Sequence, residues 1–456
     1  MLLEVIVLAA GKGTRMYSDI PKVLHRVGGK SMLDHVVDAA AELKATKTHL
    51  VTGYQGELVR QSFAADSTLN WVEQTEQLGT GHAVMQVLPH LQKNSTVLIL
   101  YGDVPLLKTG TLLQLLEKTR KAAVAVLTLI TDTPYGLGRI VRDEHGTATA
   151  IVEEKDASEE QRKITEINSG IIAVSAVHLT RWLARLTTGN AQGEYYLTDI
   201  IGLAHSDGDA IETMIIEDAF QVQGVNNRLQ LAELERHYQI ERAKNIALQG
   251  VTLADPQRLD IRGEPEFGKD VEIDINVILE GDVKIGNRVK IGANVIIRNS
   301  TIGDGSTILP NSIVEGAQIR SNCSVGPFAR IRPGTILEDK AKIGNFVETK
   351  KAHIGKGSKV SHLSYIGDAT LGENVNVGAG TITCNYDGVN KYQTEISDGV
   401  FVGSNTALVA PVKIGEDATI AAGSTITGNV PSENLAVARG RQRNIEGWQR
   451  PLKKQD

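Results

Sequence analysis

The chain has 456 residues, enough for two or three domains with a real core in each. Its 41% hydrophobic and 22% charged content is ordinary for a globular protein, and a net charge of −6 argues against a general nucleic-acid binder. Two distant cysteines, Cys323 and Cys384, and eleven histidines without HxH or HExxH spacing suggest neither a disulfide framework nor a zinc site.

The opening MLLEVIVLAAGKG is too short and interrupted for a signal segment. Glu4 breaks the apolar run and Gly11-Lys12-Gly13 ends it, so a buried first strand over Glu4–Ala10 is expected. Met32–Leu43 reads as an amphipathic helix, Thr48–Thr52 as a strand, Gly81–Leu91 as a helix, and Thr96–Tyr101 as a strand ending on Gly102-Asp103. This alternation predicts an α/β, Rossmann-like domain over 1–227. Ligands in such sheets sit beyond the carboxyl ends of strands, which puts Gly11–Arg15 and Gly102-Asp103 on one rim. Arg228–Ile246 spaces apolar residues between charges and predicts an exposed linker helix within 228–250, ended by Gly250. Nothing approaches the roughly 18 apolar residues of a membrane span. A cytoplasmic protein without membrane insertion is expected.

The second half, 251–456, carries a six-residue beat. Ile285, Ile291 and Ile297 fall six apart, with Val283, Val289 and Val295 two residues ahead of them. Aliphatic-glycine pairs return at Ile343-Gly344, Ile354-Gly355, Ile366-Gly367, Val402-Gly403 and Ile414-Gly415. Neither a helix nor a half-buried strand repeats every six residues; short strands coiled into a parallel β-helix do. There is room for roughly ten three-sided coils. The solenoid also explains the 4% aromatic content and the 45 glycines.

After the first strand, Leu8-Ala9-Ala10-Gly11-Lys12-Gly13-Thr14-Arg15-Met16 offers backbone N–H groups and cations to phosphates. It is neither a Walker A loop nor a dinucleotide fingerprint, and on glycines alone a plain βα turn reads nearly as well. Pro21-Lys22 and Tyr101-Gly102-Asp103 tip the balance toward a site. With QTEQLGTGHA (from Gln74), YGLGRI, IVEEK, EINSG, GEYYLTD and GVNNR, these strings closely resemble the sugar-nucleotidyltransferase family. The β-helix resembles the left-handed one of hexapeptide-repeat acyltransferases, and the handedness comes from that resemblance.

Together the two halves resemble bifunctional enzymes that acetylate glucosamine 1-phosphate from acetyl-CoA and transfer uridylyl from UTP to N-acetylglucosamine 1-phosphate. The resemblance implies Mg²⁺ held by Asp103 and Asn226, with Arg15 and Lys22 as catalytic cations on the phosphates. It implies nucleotide-sugar contacts from Leu8, Ala9, Ala10, Gly11, Gln74, Gly79, Thr80, Tyr101 and Gly102, with Gly138, Glu153 and Asn168 on the sugar. The donor and acceptor of Gln74 suit a uracil edge.

In the solenoid the beat fails at Arg330–Gly334, Glu348–Lys351, Lys359–Gly367 and Thr383–Thr394, the last an insertion that no hexad accommodates. The resemblance implies His362 as general base, with Arg332, Lys350, Tyr365 and Asn376 on the sugar phosphate. It assigns acetyl-CoA to Ala379, Asn385, Tyr386, Ser404, Ala422 and Arg439; small residues such as Ala379 are also what corners require. The tail from Arg439 holds six Lys/Arg against two acids, which suits a CoA phosphate or a solvated end equally. The family forms homotrimers through the β-helices. A single-activity nucleotidyltransferase with a structural or regulatory β-helix is the competing reading.

Overall fold

The computed structural model describes residues 2–64 and 66–453; the last residues of the basic tail, 454–456, lie outside them. The chain divides into two compact units, Met1–Tyr238 and Gln239–Asp456.

In the first unit, β1 (Leu3–Ala9), β2 (Lys47–Thr52), β3 (Leu69–Glu73), β4 (Thr96–Tyr101), β5 (Val124–Ile130), β6 (Arg139–Arg142), β7 (Ala148–Val152), β8 (Glu166–Ser175) and β9 (Ile211–Ile216) form one nine-stranded sheet. Its order is β9-β5-β8-β4-β1-β2-β3, with β6 pairing β8 and β7. Strands β1 to β4 are parallel, and β8 runs antiparallel to β4 and β5. All of β1 is buried because apolar layers cover both faces of the sheet. Val5 and Val7 pack with Leu33, Val36 and Leu98 on one side, and Ile6 and Leu8 with Val84, Ile99 and Trp182 on the other.

Helix α1 (Met32–Glu42) opens on a capping box in which Ser31 Oγ accepts the Asp34 N–H and the Asp34 carboxylate accepts the Ser31 N–H. The helix expected over Gly81–Leu91 is shorter: α2 spans Thr80–Met85, and a separate 3₁₀ turn follows at Leu88–His90. Pro89 has no N–H to continue the α-helical ladder, so the sequence pattern outruns the helix.

The long helix α3 covers Arg228–Leu248 and is more buried than its charges suggest. In the first unit Leu234 is buried with Met16, Val27, Met32 and Val225, while the Glu235 carboxylate accepts the Gly28 N–H at 2.7 Å. In the second unit Ala243 and Ile246 join the solenoid core, and the Gln239 amide exchanges two hydrogen bonds with the Ile261 backbone.

The second unit is a parallel β-helix. One face is an eleven-stranded parallel sheet, and the remaining strands pair in a sheet of seventeen. Ile291 pairs with Ile273 on one side and Ile308 on the other, all buried, so each coil covers its neighbours' apolar row. Burial of each such side chain stabilises by about 2 kcal/mol. The coil is not always three full hexads. The Asn276 amide donates to Asn294 18 residues on at 2.9 Å, and Asn294 to Asn311 17 residues on at 3.2 Å. These corner asparagines all have φ near +60° (59°, 59° and 60°), a conformation that asparagine tolerates. At the Thr383–Thr394 insertion the equivalent step lengthens: the Glu373 N–H donates to Asp398 across 25 residues.

Candidate active sites

The loop after β1, the start of α2 and the end of β4 enclose a cleft of about 480 Å³ in the first unit. Leu8, Ala9, Ala10, Gly11, Lys22, Gln74, Gly79, Thr80, Tyr101 and Asp103 line it, so most of the expected nucleotide contacts converge. Gly102 lies behind the wall, where a Cβ would come 3.1 Å from Leu33 and 3.2 Å from Val23. Gly13 has φ +57°, and a Cβ there would fall 2.7 Å from Lys22 Cβ. The GKG and PK motifs are thus one device, in which the missing side chain lets Lys22 pass to the rim. Lys22 ion-pairs with Asp103, and both are mostly buried.

Asn226 reaches the same place from a distant loop, because the Val225 N–H donates to the Asp103 carbonyl at 3.0 Å. Its amide oxygen accepts from Arg15 at 2.8 Å. Two hard oxygens, a carboxylate and an amide, are therefore each engaged by a cation, which marks the spot as one that attracts positive charge. Such a pair fits Mg²⁺, which keeps waters and phosphates in most of its coordination sites.

Gly138, Glu153 and Asn168 form an adjoining group. The Asn168 N–H donates to the Gly138 carbonyl at 2.9 Å, and a Cβ on Gly138 would sit 3.4 Å from Glu153 Oε1. Burial raises the Glu153 pKa, opposed by a hydrogen bond from Thr198 and aided by Asp199 and Asp156. Tyr101 links this group to the cleft. Burial and the nearby Glu153 and Asp103 carboxylates push its hydroxyl pKa up, and Gly170 (φ +85°) leaves room for its ring.

Sequence reasoning missed Gln77 and Glu194, which also line the cleft. Gln77 donates to the Ala10 carbonyl at 2.9 Å. The segment holding Glu194 backs the Gly79 loop through Tyr195 N–H to Leu78 O and Gly81 N–H to Tyr195 O, both 2.8 Å. Both residues lie in strings that resemble the family, QTEQLGTGHA and GEYYLTD, but an isolated Gln or Glu carries no signal of its own.

In the β-helix, His362 is exposed and its Nδ1 lies 2.7 Å from Asn345 Oδ1, on the strand one coil earlier. An amide oxygen only accepts, so Nδ1 carries the proton and the Nε2 lone pair is left outward. Asn345 was not legible as a partner, since its register is set only by coiling. Val360, Val377, Val402 and Ile420 pair in succession. Two residues beyond each lie His362, Ala379, Ser404 and Ala422, so these four share one corner. The Asn405 N–H donates to Ala379 O at 2.7 Å, Gly423 N–H to Ser404 O at 2.8 Å, and Arg439 binds the Ala422 carbonyl. Asn376 sits on the strand leading into this corner, paired with Lys359 and Phe401.

On the next face Arg332 accompanies Lys350, through Arg332 N–H to Thr349 O at 2.9 Å, and ion-pairs with Glu348 at 2.7 Å. Glu348 is in register with Tyr365, whose ring lies over Gly367. The insertion folds into a hairpin: Tyr386 bridges Lys391, the Tyr392 N–H donates to Asn385 O at 2.9 Å, and Asn385 binds Asp368. Its effect is to bring Lys391, unremarked in the sequence, against Lys350. Contact with Lys391, and then the charge of Arg332, lowers the Lys350 pKa. Three cations held together in this way suit a phosphate dianion.

Residues 5–159 match the MobA-like NTP transferase domain, 261–350 the GMPPB C-terminal domain, and 393–428 the bacterial transferase hexapeptide of six repeats. The bifunctional protein GlmU of Marinobacter nauticus is 58% identical over 451 residues, covering 99% of each chain. The protein is a transferase joining a nucleotidyltransferase domain to a hexapeptide-repeat acetyltransferase domain. On its sequence and on both halves of its fold, the chain belongs to the GlmU family of bifunctional proteins.

Proposed function

We propose that the β-helix acetylates glucosamine 1-phosphate from acetyl-CoA. The first unit then joins UTP to the resulting N-acetylglucosamine 1-phosphate, releasing pyrophosphate and UDP-N-acetylglucosamine. The observation that carries this reading is the meeting of Lys22, Arg15, Asp103 and Asn226 at one strand-end rim. A phosphoryl-transfer transition state spreads negative charge over oxygens, and cations held in place at the rim stabilise it.

Asp103 and Asn226 would hold Mg²⁺, which when bound neutralises charge on the phosphates. Arg15 is assigned to the triphosphate and leaving group, and Lys22 to the phosphates of the product. Gln74 and the Gly79-Thr80 backbone take the base. Glu153, Asn168 and Gly138 take the sugar hydroxyls and the N-acetyl group.

In the second unit the sugar phosphate sits on Arg332, Lys350 and Lys391, near Tyr365 and Asn376. The sugar amine attacks the thioester carbon, His362 Nε2 takes the amine proton, and the carbon–sulfur bond breaks to release CoA thiolate, which is then protonated. The pantetheine arm lies along Ala379, Ser404 and Ala422, with Asn385, Tyr386 and Arg439 at its ends. We place the protein in the cytoplasm, where both co-substrates are available, and as a homotrimer. Phe328 and Phe346, which stack at 5.3 Å on an exposed corner in a left-handed conformation bulky residues rarely adopt, support self-association.

Asp103→Asn keeps the size of the side chain and removes its charge. Pyrophosphate release from UTP and N-acetylglucosamine 1-phosphate is expected to fall about 100-fold or more, with acetyl transfer unchanged. Unchanged pyrophosphate release would remove Asp103 from the site.

A further inference from the structure

Gln74 is the long amide assigned to the base, and how that amide is turned decides what it can read. Its Nε2 donates to the Gly79 carbonyl at 3.1 Å and lies 3.1 Å from His82 Nδ1. Turning the amide over would set its carbonyl oxygen against the Gly79 carbonyl oxygen, so the nitrogen is held inward. No described group of the protein donates to Gln74 Oε1, and that oxygen is not sealed off: it is the part of the amide left facing the cleft.

His82 sits on α2, partly buried, with its ring stacked on Tyr195 at 6.3 Å and 27°. Its other ring nitrogen lies 3.1 Å from Gln86 Nε2. A neutral imidazole accepts at one nitrogen only. Gln74 is buried, so its second N–H has no acceptor but His82. Gln86 Nε2 also donates to the His82 carbonyl at 3.1 Å, but Gln86 is half-buried near the end of the helix, where water can replace that contact as its amide turns. The accepting lone pair therefore belongs to Nδ1 and the proton to Nε2.

We infer that His82 is a positioning residue for base selection: it locks the Gln74 carbonyl toward the cleft, so that the site accepts a pyrimidine with an N–H at ring position 3 and rejects one with a lone pair there. Uracil presents that N–H; cytosine presents the lone pair. A carbonyl oxygen against the cytosine nitrogen leaves two acceptors facing each other, with no hydrogen bond and a desolvation cost on both. Without His82 the Gln74 amide keeps one of its two anchors and gains freedom to turn. The inference rests on the assignment of Gln74 to the base.

The test compares pyrophosphate release with UTP and with CTP, as the ratio of kcat/KM values, in wild type, His82→Phe and His82→Asn. Phenylalanine keeps the ring and its stacking but offers no acceptor. Asparagine Oδ1 falls near the place of Nδ1 and restores one. The ratio is expected to drop about tenfold in His82→Phe, through KM for UTP rather than kcat, and to recover in His82→Asn. Thermal unfolding of each variant shows whether the unit is folded. A folded His82→Phe that keeps the wild-type ratio overturns the role of His82, as does a ratio that falls equally in both variants. A wild type that does not prefer UTP to CTP overturns the reading of Gln74 itself, and the inference with it.

Discussion

Glu4 lies on β1 with no exposure, and its carboxylate faces His49 Nε2 at 2.8 Å while accepting the Gln92 N–H at 2.8 Å. His49, also fully buried, accepts at Nδ1 from Asn70 at 2.9 Å, which fixes it as the neutral Nε2–H tautomer. Burial alone would raise the Glu4 pKa, but hydrogen bonds from His49, Gln92 and Ser95 outweigh it and the net shift is downward. For His49 burial is the largest cause and also lowers the pKa, against the pull of Glu4. Both signs point the same way. A histidine kept neutral in the fold loses stability as pH falls below its unfolded value of about 6.5. A carboxylate with a depressed pKa loses it as pH falls further, through its folded value. The first unit should therefore weaken between pH 7.5 and 5.5, by at most about 1.4 kcal/mol per pH unit from His49. In His49→Gln that slope should flatten while stability at pH 7.5 falls. Urea unfolding followed by Trp71 and Trp182 fluorescence, in a Trp448→Phe background, checks this. An unaltered slope would show that His49 is not the titrating group. In the sequence Glu4 registers only as a break in an apolar run and His49 as one of the scattered histidines. Their pairing depends on β1–β2 register, which no local pattern encodes.

At the scale of elements, legibility followed periodicity. The hexads exposed the β-helix because one aliphatic residue per strand must point inward on every coil, and β4 was legible to the residue because an apolar run ends there on Gly102-Asp103. The coil of 17 or 18 residues was less legible, since a lost residue at a corner changes no buried position. The Thr383–Thr394 segment was visible only as a break. The hairpin it forms sets Lys391 beside Lys350. Lys391→Ala should raise KM for glucosamine 1-phosphate about tenfold through loss of one charge-assisted contact, with KM for acetyl-CoA nearly unchanged. An equal rise for both substrates would mean that the hairpin shapes the corner rather than binding phosphate.

For the whole molecule, the sequence places a joint at 228–250, and the two compact units divide within that span, inside α3 at Tyr238 and Gln239. Charged residues along α3 conceal that Leu234, Ala243 and Ile246 are buried, which only the packing of each unit shows. The family relationship spans 99% of the chain and therefore both units, not the first alone. A solenoid serving only as a scaffold would have no use for a histidine whose tautomer is fixed by Asn345, or for three clustered cations. Two activities on separate side chains should be separable by single substitutions. The direct measurement is His362→Ala, assayed in one preparation for thiol release from acetyl-CoA with glucosamine 1-phosphate and for pyrophosphate release from UTP with N-acetylglucosamine 1-phosphate. Acetyl transfer is expected to fall about 100-fold or more while uridylyl transfer stays at the wild-type rate. Acetyl transfer at the wild-type rate in this variant, or loss of both activities in a folded protein, would contradict the assignment of two independent sites with the base at His362.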